Sequence, residues 1–289
     1  MEPRSKTWGS LLDELAERRG QHEALSFEGR AWTWQDFASE TLTVARGLIA
    51  AGVRRGDRVA LLSTNRPEWL MAAFGALRIG AVGIPLNTWF KTRELQYVLE
   101  HSEARAIILM PSFRSQNYIE DLYTICPELR TAPSGATLTA ATSALPNLAA
   151  VFSITEDRLA GAAPWSAFRT LAKQVTIDEV RRAQAAVKPE DLALLVYTSG
   201  STAFPKAVQI HHQLWIDNGR AIGERMHVVP EDRFWLGLPL SFAFGIVNLV
   251  GNAFAHGAST IIQEYFEPEL SFRTLAQSRS TVFYASPNM

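Results

Sequence analysis

The segment after residue 197 combines the residue types that bind phosphate groups. It runs Thr198-Ser199-Gly200-Ser201-Thr202-Ala203-Phe204-Pro205-Lys206. Small residues let the backbone approach a ligand closely, and their N–H groups can converge on an anion. The hydroxyls add donors, and the Lys206 ammonium supplies a charge that pairs with phosphate. The pattern therefore predicts an anion-binding loop, with a solvated Ser/Thr turn between two strands as the alternative.

Two apolar runs flank this segment and predict the elements that position it. Residues 192–196 are typical of a buried strand that leads directly into the loop. Residues 207–210 are typical of the returning strand of a hairpin, and a helix is predicted from about His212 to Arg225. We therefore expect the loop to hang between two paired strands, at the end of the first.

Helix and strand patterns alternate along the rest of the chain. Strands are predicted at residues 57–62, 81–86, 106–110, 151–154, 233–238, 259–262 and 281–285. Thr33 and Asp36 have the spacing of a capping box, and Pro67 is placed to open a helix. This alternation predicts an α/β fold of mostly parallel sheets with helices on both faces. We predict a first α/β subdomain over residues 1–190 and the start of a second over residues 191–289.

Composition and charge narrow the functional class. The 289 residues are 47% hydrophobic and 20% charged, which is typical of a soluble globular protein. Lys and Arg number 28 against 29 Asp and Glu, so no basic surface for nucleic acid is predicted. No apolar run is long enough to predict a transmembrane helix, and no metal-ligand spacing is evident. Cys126 is the single cysteine, which excludes an intrachain disulfide and favours a reducing, cytoplasmic location.

Residues 197–206 resemble the phosphate-loop signature of the adenylate-forming (AMP-binding) superfamily. That superfamily contains acyl-CoA synthetases, luciferases and the adenylation domains of peptide synthetases. Further stretches look like the landmarks of its acyl-CoA synthetases (fatty-acid–CoA ligases): residues 32–34, 52–53, 56–60, 65–69, 80–82, 85–87 and 239–245. The similarity covers nearly the whole chain and implies the N-terminal part of such an enzyme, with an incomplete N-terminal domain.

This resemblance implies a two-step reaction. A carboxylate attacks the α-phosphate of ATP to give an acyl-adenylate and pyrophosphate, and coenzyme A then takes the acyl group. The implied cofactors are ATP, Mg²⁺ and coenzyme A, and the implied partner is a small carboxylic acid. Thr198 and Lys206 are the implied catalytic residues. The implied nucleotide-binding residues are Thr198, Ser199, Gly200, Ser201, Thr202, Ala203 and Lys206.

The resemblance also implies an acyl pocket around Phe242. Many acyl-CoA synthetases have histidine there and others another aromatic residue, while Phe244 and Asn248 fall at positions that line the pocket in relatives. A purely structural core residue is the alternative for Phe242. Amino-acid adenylation domains carry Asp where Ala243 stands, because a buried ammonium needs a partner. A fatty, cyclic or aromatic acid is therefore favoured over an amino acid.

Two alanines depart from the family pattern. Glycine or a similarly small residue is usual at the position of Ala203, and glycine is usual at that of Ala207. If either position requires a positive φ, alanine costs roughly 1 kcal/mol there. Weakened ATP binding is therefore a hypothesis that the sequence raises.

The family's later motifs would follow Met289. They supply the adenine contacts, the ribose-binding Asp and the catalytic Lys of the C-terminal domain. We therefore expect the chain to hold roughly the first half of such an enzyme and to be a poor catalyst. A non-catalytic, truncated relative with a binding or regulatory role is the second hypothesis. An amino-acid adenylation domain is the third, and Ala243 disfavours it.

Overall fold

The computed structural model describes residues 6–135, 142–198, 205–287 and 289. Its strands are β1 (Glu23–Phe27), β2 (Arg30–Thr33), β3 (Arg58–Leu62), β4 (Val82–Pro85), β5 (Ala104–Leu109), β6 (Ser112–Phe113), β7 (Gln116–Asn117), β8 (Ala150–Ser153), β9 (Leu192–Thr198), β10 (Lys206–His211), β11 (Arg233–Leu236), β12 (Ser259–Ile262) and β13 (Val282–Phe283).

Ten α-helices occur among the described residues. They are α1 (Trp8–Arg19), α2 (Trp34–Ala50), α3 (Pro67–Arg78), α4 (Thr92–His101), α5 (Tyr118–Ile125), α6 (Ala167–Ala172), α7 (Ile177–Ala185), α8 (His212–Met226), α9 (Gly251–Ala255) and α10 (Pro268–Ser278). A 3₁₀ helix covers Pro127–Arg130 and a π-helix covers Phe244–Val250. None of the described helices combines the length and apolar character that crossing a bilayer requires.

The strands form two large, mostly parallel sheets and one small hairpin. The six-stranded sheet has the order β10-β9-β4-β3-β5-β8, and only its edge strand β10 is antiparallel to its neighbour. The five-stranded sheet has the order β13-β11-β12-β1-β2, with only β2 antiparallel. The predicted α/β class with mostly parallel sheets is confirmed.

Each large sheet draws strands from both sides of residue 190. The pair β9 and β10 joins strands from the first half of the chain, whereas β1 and β2 join strands from its end. The helix α3 packs on β3 and β4 of one sheet and on β1 of the other, so helices fill the space between the sheets. The division of the chain at residue 190 stays a prediction.

An aromatic cluster forms the centre of this helical layer. It joins α1, α2, α3, α8 and α9, with ring centroids 4.6 to 6.4 Å apart. The contributing side chains, all fully buried, are Trp8, Trp34, Phe37, Phe74, Trp215 and Phe254. Edge-to-face aromatic pairs add about 1 kcal/mol each beyond the area they bury. The cluster therefore holds the two sheets at a fixed separation.

The capping box and the helix-opening proline that the sequence predicts are both present in the structure. Thr33 and Asp36 form a complete capping box at the start of α2, and Pro67 is the first residue of α3. Glu28 and Gly29 both have positive φ in the turn between β1 and β2. A two-residue hairpin turn requires this conformation, which glycine adopts without a steric cost.

The mostly apolar run from Gly245 to His256 predicts a helix, and the structure gives this helix a different form. Its first part is the π-helix, because the Val247 carbonyl accepts a hydrogen bond from Trp215 Nε1 at 3.0 Å. The Gly251 N–H therefore bonds to the Ile246 carbonyl, five residues back. A side chain that captures a helix carbonyl commonly produces such a bulge. Periodicity within the segment itself carries no sign of this partner.

Candidate functional site

A cavity of about 500 Å³ lies where the carboxyl ends of strands from both large sheets meet. Its wall is built from residues that follow β3, β4, β11 and β12, and from the hairpin after β5. The lining includes Ser63, Thr64, Asn65, Thr88, Trp89, Phe113, Arg114, Leu238, Pro239, Phe242, Phe244, Glu264, Tyr265 and Phe266. Ligands of open α/β sheets bind outside the carboxyl ends of the strands, so this is the expected place for a site.

The Ser/Thr segment leaves the six-stranded sheet at this same edge. Thr198 is the last residue of β9, and β9 runs parallel to β4 with Leu194 opposite Gly83. Thr198 pairs with Lys206 across the hairpin, and its hydroxyl donates to the Lys206 carbonyl at 3.5 Å. The predicted residues Ser199, Gly200, Ser201, Thr202 and Ala203 lie outside the described residues. The two ends of the loop are thus brought together at the edge that carries the cavity.

The Lys206 ammonium is available for a ligand. The residue is exposed, and within the described parts of the chain no carboxylate lies within salt-bridge distance of it. Thr198 is exposed beside it. An unpaired ammonium and a hydroxyl at the mouth of a loop of small residues are the donors that a phosphate group requires.

The base of the loop is anchored by Tyr197. Its hydroxyl lies 2.8 Å from Nδ1 of His101, which lies at the end of α4. Burial raises the pKa of Tyr197 to about 12, so the phenol remains neutral at physiological pH. The residue before the loop is therefore held by a hydrogen bond between its neutral phenol and a second element.

The strain considered for Ala207 does not arise. Ala207 lies in the extended backbone of β10, opposite Tyr197, and is not among the residues with positive φ. Alanine fits this conformation without a steric cost. The hypothesis of weakened ATP binding therefore rests on Ala203 alone, which lies outside the described residues.

Phe242 and Phe244 form part of the cavity wall. Their side chains are 44% and 38% exposed, and the Phe244 ring contacts Tyr284 at a centroid distance of 5.4 Å. Such exposure argues against a purely core role for Phe242. Asn248 is not part of the wall, and its amide oxygen accepts a hydrogen bond from the Asn218 amide of α8 at 3.2 Å. A role in substrate binding for all three residues stays a prediction.

Asn65 joins the two sheets beneath the cavity, a role that sequence reasoning did not assign. Its Nδ2 donates to the Leu238 and Gln263 carbonyls at 2.9 and 3.1 Å, and its Oδ1 accepts from the Leu240 N–H at 2.8 Å. It is almost fully buried. Its position just before the helix-opening Arg66-Pro67 pair was visible, but its distant partners were not.

The only side-chain carboxylate in the cavity wall among the described residues is already paired. Glu264 accepts from the Arg66 guanidinium at 2.8 Å and from the Thr64 hydroxyl at 2.9 Å. No group of three or more His, Cys, Asp or Glu side chains among the described residues is placed to hold a metal ion. The cavity therefore presents mainly apolar and aromatic surface, with Arg114 at its rim.

Comparison with known proteins gives consistent matches. The family model of AMP-binding enzymes matches residues 12–289. YngI of Bacillus subtilis, named as a candidate acyl-CoA synthetase, is 32% identical over 285 residues, which are 98% of this chain and 51% of YngI. The mitochondrial medium-chain acyl-CoA ligase ACSF2 of Bos taurus is 27% identical over 293 residues, covering 99% of this chain and 47% of ACSF2. The chain thus spans about half the length of the curated relatives it matches.

A solved structure has the same fold. The anthranilate CoA ligase AuaEII, crystallised with anthranoyl-AMP, superposes with a TM-score of 0.81 at 22% identity, over 98% of this chain and 50% of AuaEII. At this identity the similarity establishes the fold alone. The predicted family and the predicted fold are both confirmed by these matches.

Proposed function

Because the chain belongs to the AMP-binding enzyme family, we propose that it forms the nucleotide- and acid-binding part of an ATP-dependent acid–thiol ligase. The reaction activates a carboxylic acid as an acyl-adenylate and then transfers the acyl group to coenzyme A. One observation carries the proposal: the hairpin that bears Thr198 and Lys206 opens at the edge where the aromatic cavity lies. A phosphate site beside an apolar pocket is what acid activation by ATP needs.

The first step places negative charge on the leaving group. A carboxylate oxygen of the acid bonds to the α-phosphorus of ATP, and the bond from that phosphorus to the bridging oxygen of pyrophosphate breaks. The Lys206 ammonium and the Thr198 hydroxyl would neutralise and orient the departing phosphates. In the second step the thiol sulfur of coenzyme A bonds to the acyl carbon, and AMP leaves.

Mg²⁺ would arrive with the nucleotide. It prefers phosphate oxygens and water to an all-protein cage, which suits a site whose described residues offer Lys206 and hydroxyls but no carboxylate cluster. The metal would supply charge neutralisation between the phosphates. The chain's own residues would contribute binding and orientation.

The acid is proposed to be fatty, cyclic or aromatic. Phe242, Phe244 and Leu238 give the cavity an apolar wall, and apolar surface favours such acids by about 25 cal/mol for each Å² that is buried. An amino acid is disfavoured because Ala243 supplies no charge and the carboxylate of Glu264 is paired with Arg66. An ammonium group in the cavity would lack a partner.

ATP–pyrophosphate exchange tests this proposal. The chain would be incubated with Mg²⁺, ATP, labelled pyrophosphate and a panel of fatty, aryl and amino acids. Because the chain spans about half the length of its relatives, we expect at most weak acid-dependent exchange, highest with an apolar acid and absent with amino acids. Binding of ATP and an apolar acid without exchange would fit either a partial enzyme or the non-catalytic relative, and binding of neither would contradict the proposal.

A further inference from the structure

Arg114 occupies a conformation that its residue type disfavours. It begins the two-residue turn of the β6–β7 hairpin and has a φ of 54°. Positive φ at this position of a hairpin turn normally selects glycine. An arginine held in such a conformation at the rim of a cavity suggests that the side chain has a task there.

The Arg114 guanidinium contacts two aromatic rings from different parts of the fold, and the two rings also contact each other at a centroid distance of 5.5 Å. Its central carbon is 5.2 Å from the Phe113 centroid and 5.0 Å from that of Tyr265. Tyr265 follows β12 of the five-stranded sheet, whereas Phe113 belongs to the hairpin after β5 of the six-stranded sheet. Cation–π contacts with both rings restrain the position of the guanidinium, while its N–H groups can still donate to a ligand.

No described carboxylate compensates the charge of Arg114. Within the described ranges no carboxylate lies within salt-bridge distance of its guanidinium. The carboxylate of Glu264 in the same cavity is engaged by Arg66 and Thr64. The rim therefore carries a fixed positive charge in front of an apolar cavity.

The hairpin is fastened to a second part of the rim. Gln116 Nε2 donates to the Phe90 carbonyl at 3.2 Å, and the Tyr118 hydroxyl donates to the Thr88 carbonyl at 2.9 Å. These bonds hold the segment after β4, which carries Trp89 with its side chain 62% exposed. Trp89 and Arg114 consequently border one opening.

We infer that Arg114 binds an anionic oxygen group at the outer end of a ligand whose body lies in the aromatic cavity. The planar fork of the guanidinium matches a carboxylate or a phosphate ester. This inference rests on the proposed function. Two ligands could supply such a group. One is a dicarboxylic acid, through the carboxylate far from the reacting end. The other is coenzyme A, through one of its phosphate groups.

Direct binding, measured by calorimetry without ATP, tests the inference in two arms. The first compares decanedioate with decanoate, and the second compares coenzyme A with pantetheine. We expect the wild-type chain to prefer the ligand with the additional anionic group, roughly tenfold, in one of the two pairs: decanedioate over decanoate, or coenzyme A over pantetheine. The pair that shows the preference identifies which ligand supplies the anion. Arg114→Gly should abolish that preference, and Arg114→Lys should retain part of it.

Arg114→Gly also separates a binding role from a structural one. Glycine relieves the left-handed conformation, so the variant should unfold at the same or a higher temperature while its preference for the anion is lost. Arg279→Gly is the matched control, since Arg279 has a φ of 51°, is exposed and lies outside the cavity wall. It should keep the wild-type preference.

Two results would overturn the inference. One is a wild-type chain with no preference in either arm, and the other is a preference that persists in Arg114→Gly. The proposed function fails separately, through the absence of both nucleotide binding and exchange, because the calorimetry requires neither ATP nor turnover.

Discussion

At the scale of single residues, His212 has the environment of a buried neutral imidazole. It is fully buried at the start of α8, and its Nδ1 accepts a hydrogen bond from the Trp8 N–H at 3.2 Å. Its Nε2 has no hydrogen-bond partner among the residues that the structure describes. Burial lowers the pKa of His212 to about 4, against a smaller opposing effect of Asp191. The residue therefore supports the packing of α1 against α8 rather than the reaction.

The pKa of His212 predicts loss of stability in mild acid. Its unfolded pKa is about 6.5, so between that value and about 4 the unfolded chain binds a proton that the folded chain does not. The free energy of unfolding should fall as pH drops through this window, by up to roughly 3 kcal/mol from this group.

Urea unfolding between pH 4 and 7 measures this effect. His212→Gln should show a flatter dependence of the unfolding free energy on pH than the wild type. His22→Gln changes an exposed histidine and should keep the wild-type slope. Identical slopes for the wild type and His212→Gln would show that the histidine is not buried neutral.

Single residues also show where sequence reasoning ends. Thr198 and Lys206 could be predicted as phosphate donors from their types and spacing, and that role stays a prediction. Asn65 and Arg114 were not, since their significance depends on partners far along the chain, such as Leu238 for Asn65 and Tyr265 for Arg114. The positive φ of Arg114 could not be predicted either, because glycine is the residue type that normally indicates this conformation and the sequence has arginine there.

At the scale of elements, α8 packs closely against the helical segment of residues 244–255. A Cβ on Gly219 would lie 2.3 Å from the Gly251 carbonyl oxygen, and one on Gly251 would lie 2.3 Å from Trp215 Nε1. The Gly251 backbone cannot move away from Gly219 without separating the two helices. The Trp215 side chain is likewise held, by its hydrogen bond to the Val247 carbonyl. The same contact brings the Trp215 indole to the Val247 carbonyl and sets the π-helix that carries Phe244.

Gly219→Ala should therefore destabilise the protein. The added methyl group meets backbone rather than a movable side chain, so we expect a loss of about 2 kcal/mol. Thermal unfolding measures it, with Gly135→Ala as the control, because a Cβ at Gly135 meets no atom within 4 Å. A melting temperature of Gly219→Ala equal to that of the control would contradict this close packing.

Element types followed from local pattern, while their detailed form depended on tertiary contacts. The strand Ser259–Ile262 and the start of α2 at a capping box were predicted as they are. The sequence pattern also predicts a helix from Pro164 to Gln174, whereas the α-helix observed there covers only Ala167–Ala172. Helix ends and bulges depend on neighbours that a single-segment pattern does not contain.

At the scale of the whole molecule, strand order explains where the site lies. Parallel strands end at one edge, and the two sheets bring such edges together around one cavity. Hydrophobic periodicity predicted strands but not their partners: nothing in β1 indicates that it pairs with β12, more than 200 residues away. The family resemblance supplied the fold that periodicity alone could not.

The measurement that tests the proposed nucleotide site most directly is ATP affinity, by calorimetry with Mg²⁺, in matched lysine variants. We predict that the chain binds ATP, that pyrophosphate competes, and that Lys206→Gln weakens binding by at least about tenfold. Lys173→Gln removes an exposed charge on another surface and should bind as the wild type does. No binding of ATP, or equal binding by Lys206→Gln and Lys173→Gln, would contradict a phosphate site at this hairpin.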